Sequence, residues 1–215
     1  MKGIYLSKIK RNINDYGLKK TINKLLLRIF GVIYEKRIYR IYRKELNNIS
    51  PPKYKISIDN VKFKQIKDND SVYIKQIEEE AEWLRGELYN KIKDGTYCLS
   101  ALENENVIGF NIIDFGNVFI PLINYNKIFN KNCAWSEHIT VKKDYRRKGI
   151  ADYLRYYVFL ELIDREIKWL YGGCLIDNLP SLNLARKLGF RELADIEYIK
   201  KIGFKKWIFK KIKRF

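Results

Sequence analysis

Val141-Lys142-Lys143-Asp144-Tyr145-Arg146-Arg147-Lys148-Gly149-Ile150-Ala151 closes an apolar alternating run (Ala134, Trp135, Ile139, Val141) and opens a strongly helical stretch from Ile150. A strand, a short charged turn reading Arg-x-x-Gly-x-Ala and a helix, in that order, set several backbone N–H groups at a helix N-terminus, where the dipole favours negative charge. Gly149 lets the backbone approach a ligand closely, and the small Ala151 leaves that approach open. The segment reads as a cradle for a pyrophosphate, built from main chain rather than from side-chain charge.

Working outward, the spacing predicts a helix from Ile150 to about Arg165 and a strand over Trp169 to Ile176. Asp177-Asn178-Leu179-Pro180-Ser181-Leu182-Asn183-Leu184-Ala185-Arg186-Lys187-Leu188-Gly189-Phe190 then carries an Asn at a strand end and a helix closing on Lys-Leu-Gly-Phe. The two segments together resemble the acetyl-CoA signature, Q/R-x-x-G-x-G/A, and the later block of the GNAT N-acetyltransferase superfamily. The resemblance covers roughly Lys53 to the C-terminus. It implies an α+β, three-layer α/β/α fold with a mixed, mostly antiparallel sheet flanked by helices. Acetyl-CoA is the implied co-substrate and no metal is expected.

The same resemblance distributes the binding roles. Ile139, Thr140 and Val141 pair as a strand with the pantetheine arm and set the thioester near the middle of the sheet. The N–H groups of Arg147, Lys148, Gly149, Ile150 and Ala151 hold the pyrophosphate. Arg146 stands at the family's Gln/Arg position, with a plain surface arginine as the alternative. Asn178, with Ser181 beside it, meets the pantetheine or serves only as a helix N-cap.

Direct attack of an acceptor amine on the thioester needs positioning, proton removal and support for an oxyanion, without a covalent enzyme intermediate. Glu137 is the candidate base. Period-2 alternation places it on the face of Ile139 and Val141, with His138 on the opposite face. A salt bridge is the alternative role for Glu137. Many relatives carry a tyrosine that protonates the leaving thiolate, but the matching position here is Ala185. Tyr171 and Tyr198 are the substitutes the sequence offers, and Tyr198 is taken as the catalytic candidate. Cys174 reads as core.

Charge placement bears on partners. The 215 residues carry a formal charge of +18; residues 1–50 hold 13 Lys/Arg against 3 Asp/Glu, and residues 200–215 hold 8 against none. Segments of this kind meet anionic surfaces, lipid or nucleic acid. Ile22, Leu25, Leu26, Ile29, Phe30 and Ile33 give an amphipathic helix whose stripe drifts on through Ile38, Ile41 and Tyr42 among Arg37, Arg40 and Arg43. Such a helix suits the plane of an anionic membrane; packing on the catalytic domain or a second subunit is the alternative.

The expected organisation is a basic helical arm over 1–50, a break at Ser50-Pro51-Pro52, and the transferase domain over 53–215. The longest apolar run is too short to span a bilayer, and no cleaved signal is expected. Three scattered cysteines and one histidine offer neither a disulfide framework nor zinc spacing. Taken with the resemblance, which implies an acetyltransferase acting on an amine acceptor, these features lead to the expectation of a cytoplasmic enzyme at the inner membrane face. An RNA- or ribosome-associated enzyme and an acetyl-CoA-binding scaffold are the alternatives.

Overall fold

The computed structural model describes residues 34–47 and 49–212. Among these residues ten strands form: β1 (Tyr34–Glu45), β2 (Val61–Ile66), β3 (Tyr97–Glu103), β4 (Asn106–Phe115), β5 (Asn117–Ile120), β6 (Tyr125–Ile128), β7 (Cys133–Val141), β8 (Trp169–Leu175), β9 (Arg191–Lys201) and β10 (Phe204–Lys211). Four α-helices accompany them: α1 (Ser71–Glu80), α2 (Leu88–Lys93), α3 (Ile150–Asp164) and α4 (Leu179–Lys187). Eight strands make one sheet in the order β10-β9-β1-β8-β7-β4-β3-β2, and β5 with β6 makes a separate hairpin. Among the described strands only β7 and β8 run parallel; the other pairings are antiparallel. The expected mixed, mostly antiparallel sheet between helical layers is the observed architecture.

Each face of the sheet is closed by apolar stripes at helical spacing. On one side Ile74 and Ile77 of α1 pack with Leu84 and Leu88 on Cys98, Phe110 and Ile112. On the other, Ile150, Leu154, Val158 and Leu162 of α3 pack on Ile108, Ala134 and Leu170. Removing this surface from water is the principal stabilising contribution. The β5–β6 hairpin covers a third cluster, where Val118, Ile120 and Ile123 meet Trp135, Tyr39 and Ile196.

The N-terminal side departs from expectation. Residues 34–45 do not continue a helix: they form β1, inserted between β8 and β9 and paired with both. The sheet therefore extends past the break expected at 50–52. The arginines read as the basic flank of a membrane helix have partners inside the fold. Arg40 binds Asp195 and Glu192, Arg43 stacks 3.9 Å over the Trp169 ring, and Arg37 donates to the Leu122 carbonyl. The helical reading of Ile22 to Ile33 falls outside the described residues. At the other end β10 is an edge strand whose lysines are exposed, an arrangement that discourages edge-to-edge pairing.

Candidate functional site

A wedge opens in the middle of the sheet. β7 and β8 pair from Cys133↔Trp169 to Ser136↔Gly172 and then part, while β7 stays paired with β4 as far as Val141↔Gly109. From Glu137 onward one edge of β7 is open. Ile139, Thr140 and Val141 lie on that edge, able to pair with an extended amide-bearing chain. Ile139 and Ser181 both line a narrow cavity at the wedge.

The wedge leads to the turn before α3. Arg147 has φ 62° and Gly149 φ 84°, and such alternation of handedness aims successive N–H groups at one point. Among the described residues, none of the amides of Arg147 to Ala151 donates to a protein acceptor. A turn of this form, with its amides unpaired, is compatible with an anionic group such as a pyrophosphate. Glycine matters here through its left-handed φ: a Cβ at Gly149 would point at Lys55 and Ile56, 3.6–3.7 Å away, rather than into the cradle. Arg146 donates through Nε to the Val141 carbonyl at 3.0 Å and so anchors the turn. Asn178 caps α4 by accepting from the Ser181 amide at 3.3 Å.

Glu137 sits on a β-bulge. Ile112 pairs with His138 and Ile113 with Ser136, leaving Glu137 as the extra residue. The bulge overturns the expected alternation, because an added residue resets the side-chain phase. Glu137 and His138 both face the α1–α2 side, where Lys91 lies 2.9 Å from Glu137 and Trp83 packs 4.6 Å from the His138 ring. Ile139 and Val141 face the α3 side. Burial holds the His138 imidazole down at about 4, with the Arg155 charge adding to the effect, so it is neutral at pH 7.

Lys91 also bonds Asp114 at 3.1 Å, and Thr96 donates to the other Asp114 oxygen at 2.7 Å. One ammonium thus faces two carboxylates, and Glu137 Oε2 is buried with no protein partner. Burial pushes the Glu137 carboxyl above the usual carboxylate range, the Asp114 charge adds to this, and Lys91 offsets only part. The group opens on a cavity of about 650 Å³ walled by Glu87, Asp94, Asp114 and Glu137. Such a cavity favours a cationic amine and provides an adjacent carboxylate to deprotonate it.

Tyr198 is elsewhere. It lies on β9, separated from β7 by β8 and β1 in the sheet order, and is buried beside Trp207 with ring centroids 5.9 Å apart. The structure does not bring it to Glu137. Sequence reasoning missed Lys91 and Asp114, which adjoin Glu137, and Arg155, Tyr39 and Tyr42, which lie at the wedge. Consecutive glycines inside a strand, Gly172 and Gly173, were the available signal, since a glycine there marks a close approach. Among the described residues, no group of His, Cys, Asp or Glu is placed to hold a metal ion, and no helix is long and apolar enough to cross a membrane.

The model of the acetyltransferase (GNAT) family matches residues 61–190. Among solved structures, the aminoglycoside N-acetyltransferase AAC(6')-Iy in complex with CoA has a TM-score of 0.50 at 16% identity, covering 61% of this chain and 92% of that one. A tandem GNAT protein from the clavulanic acid biosynthesis pathway has a TM-score of 0.52 at 12% identity, covering 81% and 53%. A functionally unknown conserved protein from Staphylococcus epidermidis gives 0.52 at 15% identity, covering 81% and 65%. This chain therefore spans less than two thirds of the latter two. At these identities the likeness is one of fold. No curated protein matches the chain.

Proposed function

Because the chain belongs to the GNAT acetyltransferase family, we propose that it transfers an acetyl or short acyl group from acyl-CoA directly to an amine. The observation that carries this is the union, on one stretch of chain, of an open strand edge and a run of unpaired amides. Ile139 to Val141 hold the pantetheine arm by strand pairing, and Arg147 to Ala151 hold the pyrophosphate. The thioester then lies beside the bulge, and Glu137 takes the acceptor's proton directly or through one water. The acidic cavity admits the acceptor as a cation, with Lys91 keeping Glu137 and Asp114 from repelling each other. Orientation on two rigid elements supplies much of the rate enhancement.

Calorimetry with acetyl-CoA tests the reading. Wild-type protein should bind saturably at one site. Gly149→Val forces a β-branched residue into a left-handed φ, so it should weaken binding by about tenfold or more while circular dichroism stays native. Absence of binding by folded wild type would remove the acyltransferase proposal.

Action at an anionic membrane surface is part of the same proposal. It draws support from the β9–β10 turn, where Ile202 is 69% exposed and Phe204 82% exposed, with Lys200, Lys201, Lys205 and Lys206 around them. Ile202 has φ 47°, a strained choice for a β-branched residue where Asn-Gly would serve stability better. Apolar tips ringed by lysine suit the headgroup region. The protein should float with phosphatidylserine vesicles at low salt, and Ile202→Asn with Phe204→Ser should reduce this at least severalfold. Flotation unchanged by that double substitution would rule the turn out as a contact.

A further inference from the structure

The glycine pair in β8 has an occupant on each side. A Cβ on Gly172 would lie 2.6 Å from Tyr42 Cε2, and one on Gly173 would lie 2.3 Å from Tyr39 Cε1. Two rings from β1 therefore lie flat across β8, on opposite faces, directed toward the wedge. Tyr42 stands in register with Gly172, and Gly172 with Ser136, the last pair before β7 and β8 separate. Its ring is fixed edge-on against Phe190 at 5.3 Å. It also lines the narrow cavity that Ile139, Arg155, Ser181 and Ala185 share, where the small Ala185 leaves the ring its space.

Arg155 of α3 is fully buried at the same place. Its Nη1 donates to Ser136 Oγ at 2.9 Å, and its Nε is buried without a partner. A buried guanidinium with an unused donor, at the vertex of the wedge, marks a place where negative charge is expected to appear.

We propose that Tyr42, delivered by β1, donates a hydrogen bond to the CoA sulfur and stabilises the thiolate as it leaves. The proposal rests on the acyl-CoA reading above. In the step, the acceptor nitrogen forms the C–N bond and the C–S bond breaks with its electron pair on sulfur. Of the two protons the acceptor ammonium gives up, one leaves through Glu137 to bulk water. The other passes from the nitrogen of the tetrahedral adduct to water, sulfur later takes one proton from water in return, and Tyr42 keeps its own. Burial pushes the Tyr42 hydroxyl up to about 12, Cys174 reinforcing this and Arg155 opposing it. A thiol titrates near 8.5, so the phenol does not surrender its proton to a thiolate but donates a hydrogen bond to it. Hydrogen bonds to a charged partner are the stronger class.

The test needs no acceptor. A donor aimed at sulfur makes the thiolate form of CoA bind more tightly than the thiol form. Affinity for CoA, measured by calorimetry from about pH 6 to about pH 9, should rise about tenfold to a hundredfold relative to desulfo-CoA, the range a hydrogen bond to an ion supports. Tyr42→Phe retains the ring on Gly172 and Phe190. It should match wild type at about pH 6 and lose most of the rise. The groups facing Tyr42 stay constant across this window: burial holds the Cys174 thiol at about 11, and the Arg155 guanidinium, lowered by burial, still titrates only at about 10. A rise in Tyr42→Phe equal to that of wild type would overturn the role of Tyr42 while leaving the donor site standing. Failure of both proteins to bind CoA would instead remove the acyltransferase reading and this inference with it.

Discussion

Glu137→Gln should lower kcat/KM for amine acetylation by roughly 10² to 10⁴-fold, the range general-base catalysis supplies, with acetyl-CoA affinity unchanged. The bulge turns Glu137 away from the face of the donor edge and toward the acidic cavity, so the substitution removes a proton acceptor without touching the cradle. The pH profile carries the same signature. Since burial and Asp114 raise the Glu137 carboxyl above its ordinary 4.5, wild-type kcat/KM should climb with pH through an apparent value above 4.5. In Glu137→Gln this limb should flatten or move. A variant that retains activity within about threefold, with the same acid limb, would make Glu137 a structural partner of Lys91 and nothing more.

Gly173→Ala should be the most destabilising single-methyl change in the sheet, lowering stability by roughly 2–4 kcal/mol, at and above the upper end of ordinary overpacking costs. The added Cβ meets the Tyr39 ring at 2.3 Å and the Arg40 carbonyl oxygen at 2.8 Å. The carbonyl is part of the β1 backbone, and Tyr39 is only 4% exposed, so neither can move aside cheaply. Gly172→Ala should cost less, about 1–3 kcal/mol, because its nearest neighbours are side-chain atoms of a ring that is less deeply enclosed. Urea denaturation of the two variants ranks them. Combining Gly173→Ala with Tyr39→Leu should cost less than the sum of the single changes, as coupled neighbours do. Strict additivity would mean that the glycine does not serve the ring.

What could be read from sequence divides along the range of the interactions involved. The geometry of the Arg146–Ala151 turn was legible because it is local: a left-handed glycine and a helix start lie within six residues. The segment Tyr34–Glu45 was not. Its Ile38, Ile41 and Tyr42 spacing fits a helical stripe as well as a strand used on both faces. What decides between them are partners about 120–160 residues away, Trp169, Glu192 and Asp195, which no local pattern displays. The direction of Glu137 failed for a related reason. A bulge is a property of the register between β4 and β7, and alternation within β7 alone points the carboxylate to the wrong side. Tyr198 has the right residue type on the wrong strand, while the tyrosines that reach the wedge lie in a stretch whose local pattern fits a helix.

The position of β1 gives the protein a particular history of assembly. Every backbone pairing that β1 makes is with residues 169–201, so its contacts are among the most distant in sequence that the described chain contains. Loops of this length close slowly, and their closure is rewarded only at the end. During synthesis the residues of β1 leave the ribosome early and wait, with both strand edges unmet, until β8 and then β9 emerge. The residues of the Arg147–Ala151 turn and Glu137 emerge before that moment, but Tyr39 and Tyr42 can dock on β8 only after it. On the proposed reading the tyrosines join the donor turn only with the final strands, and a chain interrupted before β8 would carry that turn with β1 unpaired.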